Sequence, residues 1–184
     1  MDLSQFTRRL TTEFPPRHEP VAELPSTAAV LVALFPKMGR THVLLIQRAK
    51  NLRLHAGEIS FPGGTYEPED ETLETTALRE TQEELALEIP AGRIVGRLPQ
   101  VTTLTGFEVH PFVCILDALP PWKKNPREVA EVLEVPLVPL LATHQRDVGH
   151  GAHRDMYVYW YKNYRIWGAT AKILYQIGKL GAFL

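Results

Sequence analysis

Leu3, Phe6 and Leu10 recur at helical spacing among polar residues, so the first dozen positions predict a short amphipathic helix. Pro15, Pro16, Pro20 and Pro25 then break regular structure and predict a connector. Residues 27–35 and 42–48 are dense in Val, Leu, Ile and Ala, and Pro36-Lys37-Met38-Gly39 between them predicts a hairpin of core strands. After Pro62-Gly63-Gly64 the chain turns polar through Asp70. The next stretch, 72–85, has no Gly or Pro and is rich in Leu, Ala, Glu, Arg and Gln, which makes it the strongest helix of the chain. Residues 94–98 and 109–116 predict further strands, 117–126 a proline-rich loop, and 128–141 mixes strand and helix signals. A late hairpin is predicted at 157–161 and 164–167, joined by Lys162-Asn163, with a closing helix at 169–177. Without an internal repeat, this order predicts an α+β protein: a mixed central sheet in an α/β/α sandwich. The expected organisation is one domain over 1–184, with 1–26 as its helix and connector.

Composition narrows the function classes. At 184 residues, with 45% hydrophobic and 22% charged side chains, the chain should bury roughly 70% of its unfolded surface without needing disulfides or a structural metal. The single cysteine, Cys114, cannot form an internal disulfide or a multi-cysteine zinc site, which suits a reducing compartment. Twenty basic against 21 acidic residues leaves a net charge of −1, without the basic excess that nucleic-acid binding requires. The longest uncharged apolar run, 28–35, is too short to span a bilayer, and the first residues lack a signal pattern. The expectation is a cytoplasmic protein with no nucleic-acid or membrane partner, and a homodimer as an assembly that the sequence leaves open.

Within the strongest helix, Glu80, Glu83 and Glu84 fall at i, i+3 and i+4, so three carboxylates share one face. Like charges at this spacing repel and call for a counter-charge. Hard oxygen ligands without nearby Cys or a repeated His favour Mg²⁺ or Mn²⁺, and a carbonyl at Gly63-Gly64 could add another oxygen. On the triplet alone, a solvated acidic face with Arg79 as a local partner accounts for the pattern equally well, because Glu is a common surface helix former.

Gly64, Glu71 and the run Arg79-Glu80-Thr81-Gln82-Glu83-Glu84-Leu85-Ala86-Leu87 together resemble the Nudix box. Three departures stand out: six residues rather than five separate Gly64 from Glu71, Thr81 replaces an apolar residue, and Ala86 replaces the glycine after the helix. The Arg-Glu-x-x-Glu-Glu core is intact. Upstream, Leu44-Leu45-Ile46-Gln47-Arg48-Ala49, Arg53, Gly57 and Phe61-Pro62-Gly63-Gly64 resemble the signature of the coenzyme A pyrophosphatase branch of that superfamily, in which the longer loop is expected. Thr105 to Val109 and Ile166 to Ala171 are similar to the same branch, so the resemblance spans roughly residues 28–175.

The resemblance implies a Nudix-type α/β/α sandwich that hydrolyses a diphosphate, with a coenzyme A type nucleotide as the small-molecule substrate. It implies that Glu80, Glu83, Glu84 and the Gly64 carbonyl hold Mg²⁺ or Mn²⁺, that Glu80 can also serve as a base, and that Arg79 orients a carboxylate through its planar fork. Catalytic work falls to Arg79, Glu80 and Glu84. Glu71 is either a ligand or an acid complementing the helix amino terminus. Arg48 and Arg53 either bind substrate phosphates, including the 3′-phosphate of coenzyme A, or form salt bridges to the acidic helix. Glu128 and Glu131 are candidates for an additional site carboxylate, or else surface strand charges. Trp122-Lys123-Lys124 could stack on adenine, although an exposed loop tip explains it more simply. His150 and His153 read as surface residues. No Walker loop and no Gly-x-Ser-x-Gly elbow is present. The competing functions are a Nudix hydrolase of another dinucleotide, such as ADP-ribose or NADH, and a module that senses nucleotides without hydrolysing them.

Overall fold

The computed structural model describes residues 2–15, 26–147 and 156–181. Helix α1 (Leu3–Glu13) starts at Asp2, whose carboxylate accepts the Ser4 and Gln5 N–H groups and so satisfies two orphan donors of the first turn. Its apolar stripe buries Phe6 and Leu10, as the spacing predicts. Strands β1 (Thr27–Lys37) and β2 (Arg40–Arg48) extend past the predicted ends, and the turn contracts to Met38-Gly39. Both turn residues have positive φ, 50° and 69°, the two-residue geometry whose twist matches paired strands.

The chain continues through β3 (Ile59–Ser60), β4 (Gly63–Thr65), α2 (Leu73–Leu85), β5 (Ile94–Arg97), β6 (Val101–Thr102) and β7 (Glu108–Ile115). Next come β8 (Val129–Pro136), α3 (Leu137–Leu141), β9 (Gln145–Arg146), β10 (Tyr157–Tyr161), β11 (Tyr164–Ile166) and α4 (Gly168–Leu180). The mixed signal over 128–141 therefore resolves into strand followed by short helix. Strands β3, β4, β6 and β9 are two or three residues long, too short for a period of two to show in the sequence.

The main sheet runs β3-β2-β1-β7-β5, with β8 along β2, β4 along β1 and β6 along β7. Strands β1 and β7 are parallel, with Ala29 opposite His110, while their other partners are antiparallel. Successive β1 residues feed two cores. Val32 and Leu34 pack with α1, α3 and α4, and Ala29, Leu31, Ala33 and Phe35 pack with α2. Burial on both faces explains why β1 reads as a continuous apolar run rather than an alternation. The result is the expected α/β/α sandwich. Among the described residues no helix is long and apolar enough to cross a membrane. Pro16, Pro20 and Pro25 of the connector, and His150 and His153, lie outside the described residues.

Candidate metal and phosphate site

Two glycines set the floor of the site. Gly63 has φ 146°, and a Cβ there would overlap the Ala29 carbonyl and Val30, so only glycine lets β4 lie this close to β1. The freed approach lets the Gly63 N–H donate to Glu84 Oε2 at 3.0 Å. A Cβ on Gly64 would overlap the Glu80 carboxyl group, so this backbone lies directly against that carboxylate.

The polar loop then places an acid that the motif comparison passed over. Asp70 is only 3% exposed and accepts Arg79 Nε at 2.7 Å on Oδ1 and Arg79 Nη2 at 3.0 Å on Oδ2. It also takes the Glu67 N–H at 3.0 Å and the Thr76 hydroxyl at 2.8 Å. Burial pushes its carboxyl up, but these hydrogen bonds and the Arg79 charge outweigh it and hold Asp70 below the ordinary carboxylate value. Glu71 is exposed at φ 60° and ψ −38°, with the Thr72 N–H reaching back to the Asp70 carbonyl at 2.6 Å. The extra residue of the loop is therefore Glu71, extruded as the centre of a strained γ-turn. A signal for Asp70 did exist in the sequence, because five residues separate it from Gly64.

Thr72 opens α2 by accepting the Thr75 N–H, and the other two departures are absorbed locally. Thr81 is fully buried with its hydroxyl on the Ala77 carbonyl at 2.7 Å, and Ala86 ends the helix in the left-handed region at φ 49°. Arg79 is the hub of the helix face. Beyond Asp70 it reaches Glu83 at 3.2 Å, Glu80 at 3.2 Å and the Thr65 carbonyl at 3.1 Å. The Glu83 side chain is 52% exposed, whereas that of Glu84 is 2% exposed. Burial pushes the Glu84 carboxyl up to about 8; the Gly63 N–H and the Arg48 charge oppose this, and Glu80 and Glu128 reinforce it. The Glu80 carboxyl is also raised, chiefly by burial, against the pull of Arg79.

Glu128, just before β8, lies near enough to Glu80 and Glu84 for its charge to push both carboxyls up, which adds a fourth carboxylate near the helix face. Glu131 does not join them. Two residues before Leu133, it shares that residue's face of β8, the α4 side of the sheet, and its carboxylate receives the Tyr164 hydroxyl. Arg48 lies 3.7 Å from Glu84, and its Nε is buried without a hydrogen-bond partner. Arg53 is exposed on the β2–β3 connection and pairs with nothing among the described residues, so the salt-bridge alternative applies to Arg48 alone. Trp122 lines a groove of about 480 Å³ with Phe35, Pro36, Leu119 and Pro121, at the far end of β1 from Gly63 and Gly64, and no site residue borders it. A groove of about 530 Å³ along α2 touches the site only through Arg79.

Among the described residues no three acidic, His or Cys side chains converge at ligand distance, because Glu80 and Glu83 turn towards Arg79. The donor set nevertheless fits a hard divalent cation. Buried carboxylates whose proton affinity is raised by burial and by one another, against a glycine backbone that leaves no room for a side chain, are suited to such a counter-charge.

A family model described as the NUDIX domain matches residues 25–160. A protein named Uncharacterized Nudix hydrolase NudL, from Photorhabdus laumondii, is 36% identical over 183 residues and covers 97% of each chain. The structure of a MutT/nudix family protein from Enterococcus faecalis superposes with a TM-score of 0.61 at 18% identity, over 99% of this chain and 70% of that one. The NUDIX domain of Shewanella oneidensis NrtR, crystallised with ADP ribose, gives 0.54 at 23% identity, over 66% and 79%. At these identities the structural likeness is one of fold.

Proposed function

Because the chain belongs to the NUDIX domain family and is a Nudix hydrolase, we propose that it hydrolyses the diphosphate bond of coenzyme A or its derivatives in a divalent-metal-dependent reaction, giving 3′,5′-ADP and 4′-phosphopantetheine. The observation that carries the substrate class is a pair of arginines, one ending β2 and one on the connection that follows it. Arg48 lies against Glu84, the next residue donates its N–H to the Glu128 carbonyl at 2.8 Å, and four residues further on Arg53 stands exposed and, among the described residues, unpaired. One guanidinium thus sits at the carboxylate cluster and a second is exposed on the connection that follows. A substrate with a diphosphate and one further phosphate would engage two such groups, and the arginine fork matches phosphate geometry.

Glu80, Glu83, Glu84 and the Gly64 carbonyl would hold Mg²⁺ or Mn²⁺, with Glu128 facing them. Such an ion, when bound, would neutralise charge on a diphosphate and make water a better nucleophile. Glu80 would accept a proton from the attacking water at its carboxylate. Arg79 orients Asp70, Glu80 and Glu83 by pairing with all three, and Arg48 would donate to a phosphoryl oxygen.

The test is hydrolysis of coenzyme A, ADP-ribose and NADH with Mg²⁺ or Mn²⁺ in ¹⁸O-water, with products identified by mass. Coenzyme A should turn over fastest, the 3′-phosphate should stay on the nucleotide, and label should enter one product at the former bridge. Preference for ADP-ribose or NADH would overturn the substrate. Inorganic phosphate, or free coenzyme A from an acyl derivative, would overturn the mechanism. No turnover of any diphosphate would favour a sensing module.

A further inference from the structure

Glu128 reaches the acidic helix from a distant part of the sequence, so something must set its position against Glu80 and Glu84. Three carboxylates facing one another repel, and a loop glutamate without a donor would turn to solvent. Asn125 supplies that donor: its Nδ2 lies 3.2 Å from Glu128 Oε1. The other end of the same amide is committed, because Oδ1 accepts the Arg127 N–H at 3.1 Å and closes an Asx turn, which aims Nδ2 at Glu128. The Asn125 main chain also holds the helix. Its N–H donates to the Glu84 carbonyl at 2.7 Å, beside the Lys123 N–H on the Leu85 carbonyl at 2.7 Å. These carbonyls belong to the last turn of α2, where no intrahelical donor remains. One residue therefore touches the helix end that carries Glu84 and the carboxylate opposite it.

Building on the metal-site reading above, we propose that Asn125 is a positioning residue that registers Glu128 against the carboxylates of α2 and so sets the affinity of the site for its divalent cation. Outer-shell partners of ligating carboxylates typically govern affinity or activity by 10–100-fold. Asn125→Ser isolates the role, because the serine oxygen can still accept the Arg127 N–H but is too short to reach Glu128.

The experiment is calorimetric titration of the full chain with Mn²⁺ for wild type, Asn125→Ser, Glu128→Gln and the double variant, with Tm recorded for each. Asn125→Ser should weaken the Mn²⁺ Kd about tenfold while shifting Tm by less than about 2 °C. The double variant should bind within about twofold of Glu128→Gln, since two residues acting through one contact do not add. Wild-type affinity in Asn125→Ser, no loss in Glu128→Gln, or losses that multiply in the double variant would overturn the positioning role while leaving the metal site standing. A wild-type chain that binds no Mn²⁺ would overturn the metal site itself, and the two failures are told apart by that first titration. If Asn125→Ser folds poorly, Asn125→Asp replaces it. The aspartate keeps the turn acceptor but repels Glu128, so Tm should fall and should recover when Glu128→Gln restores a donor. Absence of recovery would show that the contact does not operate in solution and would overturn the proposal.

Discussion

Arg79 grips Asp70 with two parallel hydrogen bonds, 2.7 Å from Nε to Oδ1 and 3.0 Å from Nη2 to Oδ2, and this pair ties the loop after Gly64 to the helix that carries the acidic face. Asp70 is buried and Arg79 is largely covered, so the pair lies well beyond the reach of ordinary surface screening. Asp70→Ala is expected to cost about 3 kcal/mol, because it strands a guanidinium among fewer carboxylates and removes an acceptor from Glu67 and Thr76. Glu71→Gly should instead stabilise by up to about 1 kcal/mol, since glycine relieves the positive φ. Chemical denaturation of the two variants checks both signs. Equal losses at 70 and 71 would mean that the pairing is not made in solution.

Ala86 occupies the left-handed position that ends α2, where a side chain is strained. It is exposed and packs on nothing that a glycine would lose. Ala86→Gly should raise stability by about 0.5–1 kcal/mol and Tm by about 2–3 °C, without changing turnover. Scanning calorimetry decides the matter, and a lower Tm would mean that the helix ends differently.

Glu84 makes the metal-free protein pH-sensitive in a definite direction. Its carboxyl, ordinarily near 4.5, is pushed up to about 8 in the folded chain. Below about pH 4.5 both states hold the proton and the group contributes nothing. Between 4.5 and 8 only the unfolded chain releases it, so stability falls as pH rises, and above 8 the loss is complete. In a chelator, wild type should therefore match Glu84→Gln near pH 4.5 and become progressively less stable than it towards pH 8.5. Added Mg²⁺ or Mn²⁺ should rescue wild type but not Glu84→Gln, which should also lose most turnover. Melting curves across that range test the sign, and wild-type turnover that survives thorough chelation would sink the metal assignment.

Arg53 stands exposed and has no partner among the described residues, so its removal should cost the fold less than about 0.5 kcal/mol. Arg53→Ala should raise KM for coenzyme A about tenfold, and by much less for the analogue lacking the 3′-phosphate, because only the former offers the extra dianion. Steady-state kinetics on the two substrates separates these outcomes. Equal losses on both would remove the arginine from phosphate recognition.

What the sequence determined by itself was whatever repeats over several residues or depends on neighbours along the chain. The amphipathic stripe of α1, the apolar runs of β1 and β7 and the uninterrupted helix-forming stretch of α2 each carry their own period, and each element formed where that period lies. The carboxylates of α2 were legible for the same reason, since i, i+3 and i+4 share a face in any α-helix. Tertiary structure decided what depends on approach between distant segments. Spacing along the chain left the choice open, since five residues separate Asp70 from Gly64 and seven separate Glu71 from Arg79, and only the fold shows which residue the loop extrudes and which acid meets the helix. Glu128 and Glu131 are three apart and alike in chemistry, yet one faces the acidic helix and the other is bound to Tyr164 on the opposite side of the sheet. Asn125 carried no signal at all. Its importance comes from a loop crossing the end of α2, and a hydrogen bond between residues 41 positions apart is a property of packing, not of local pattern.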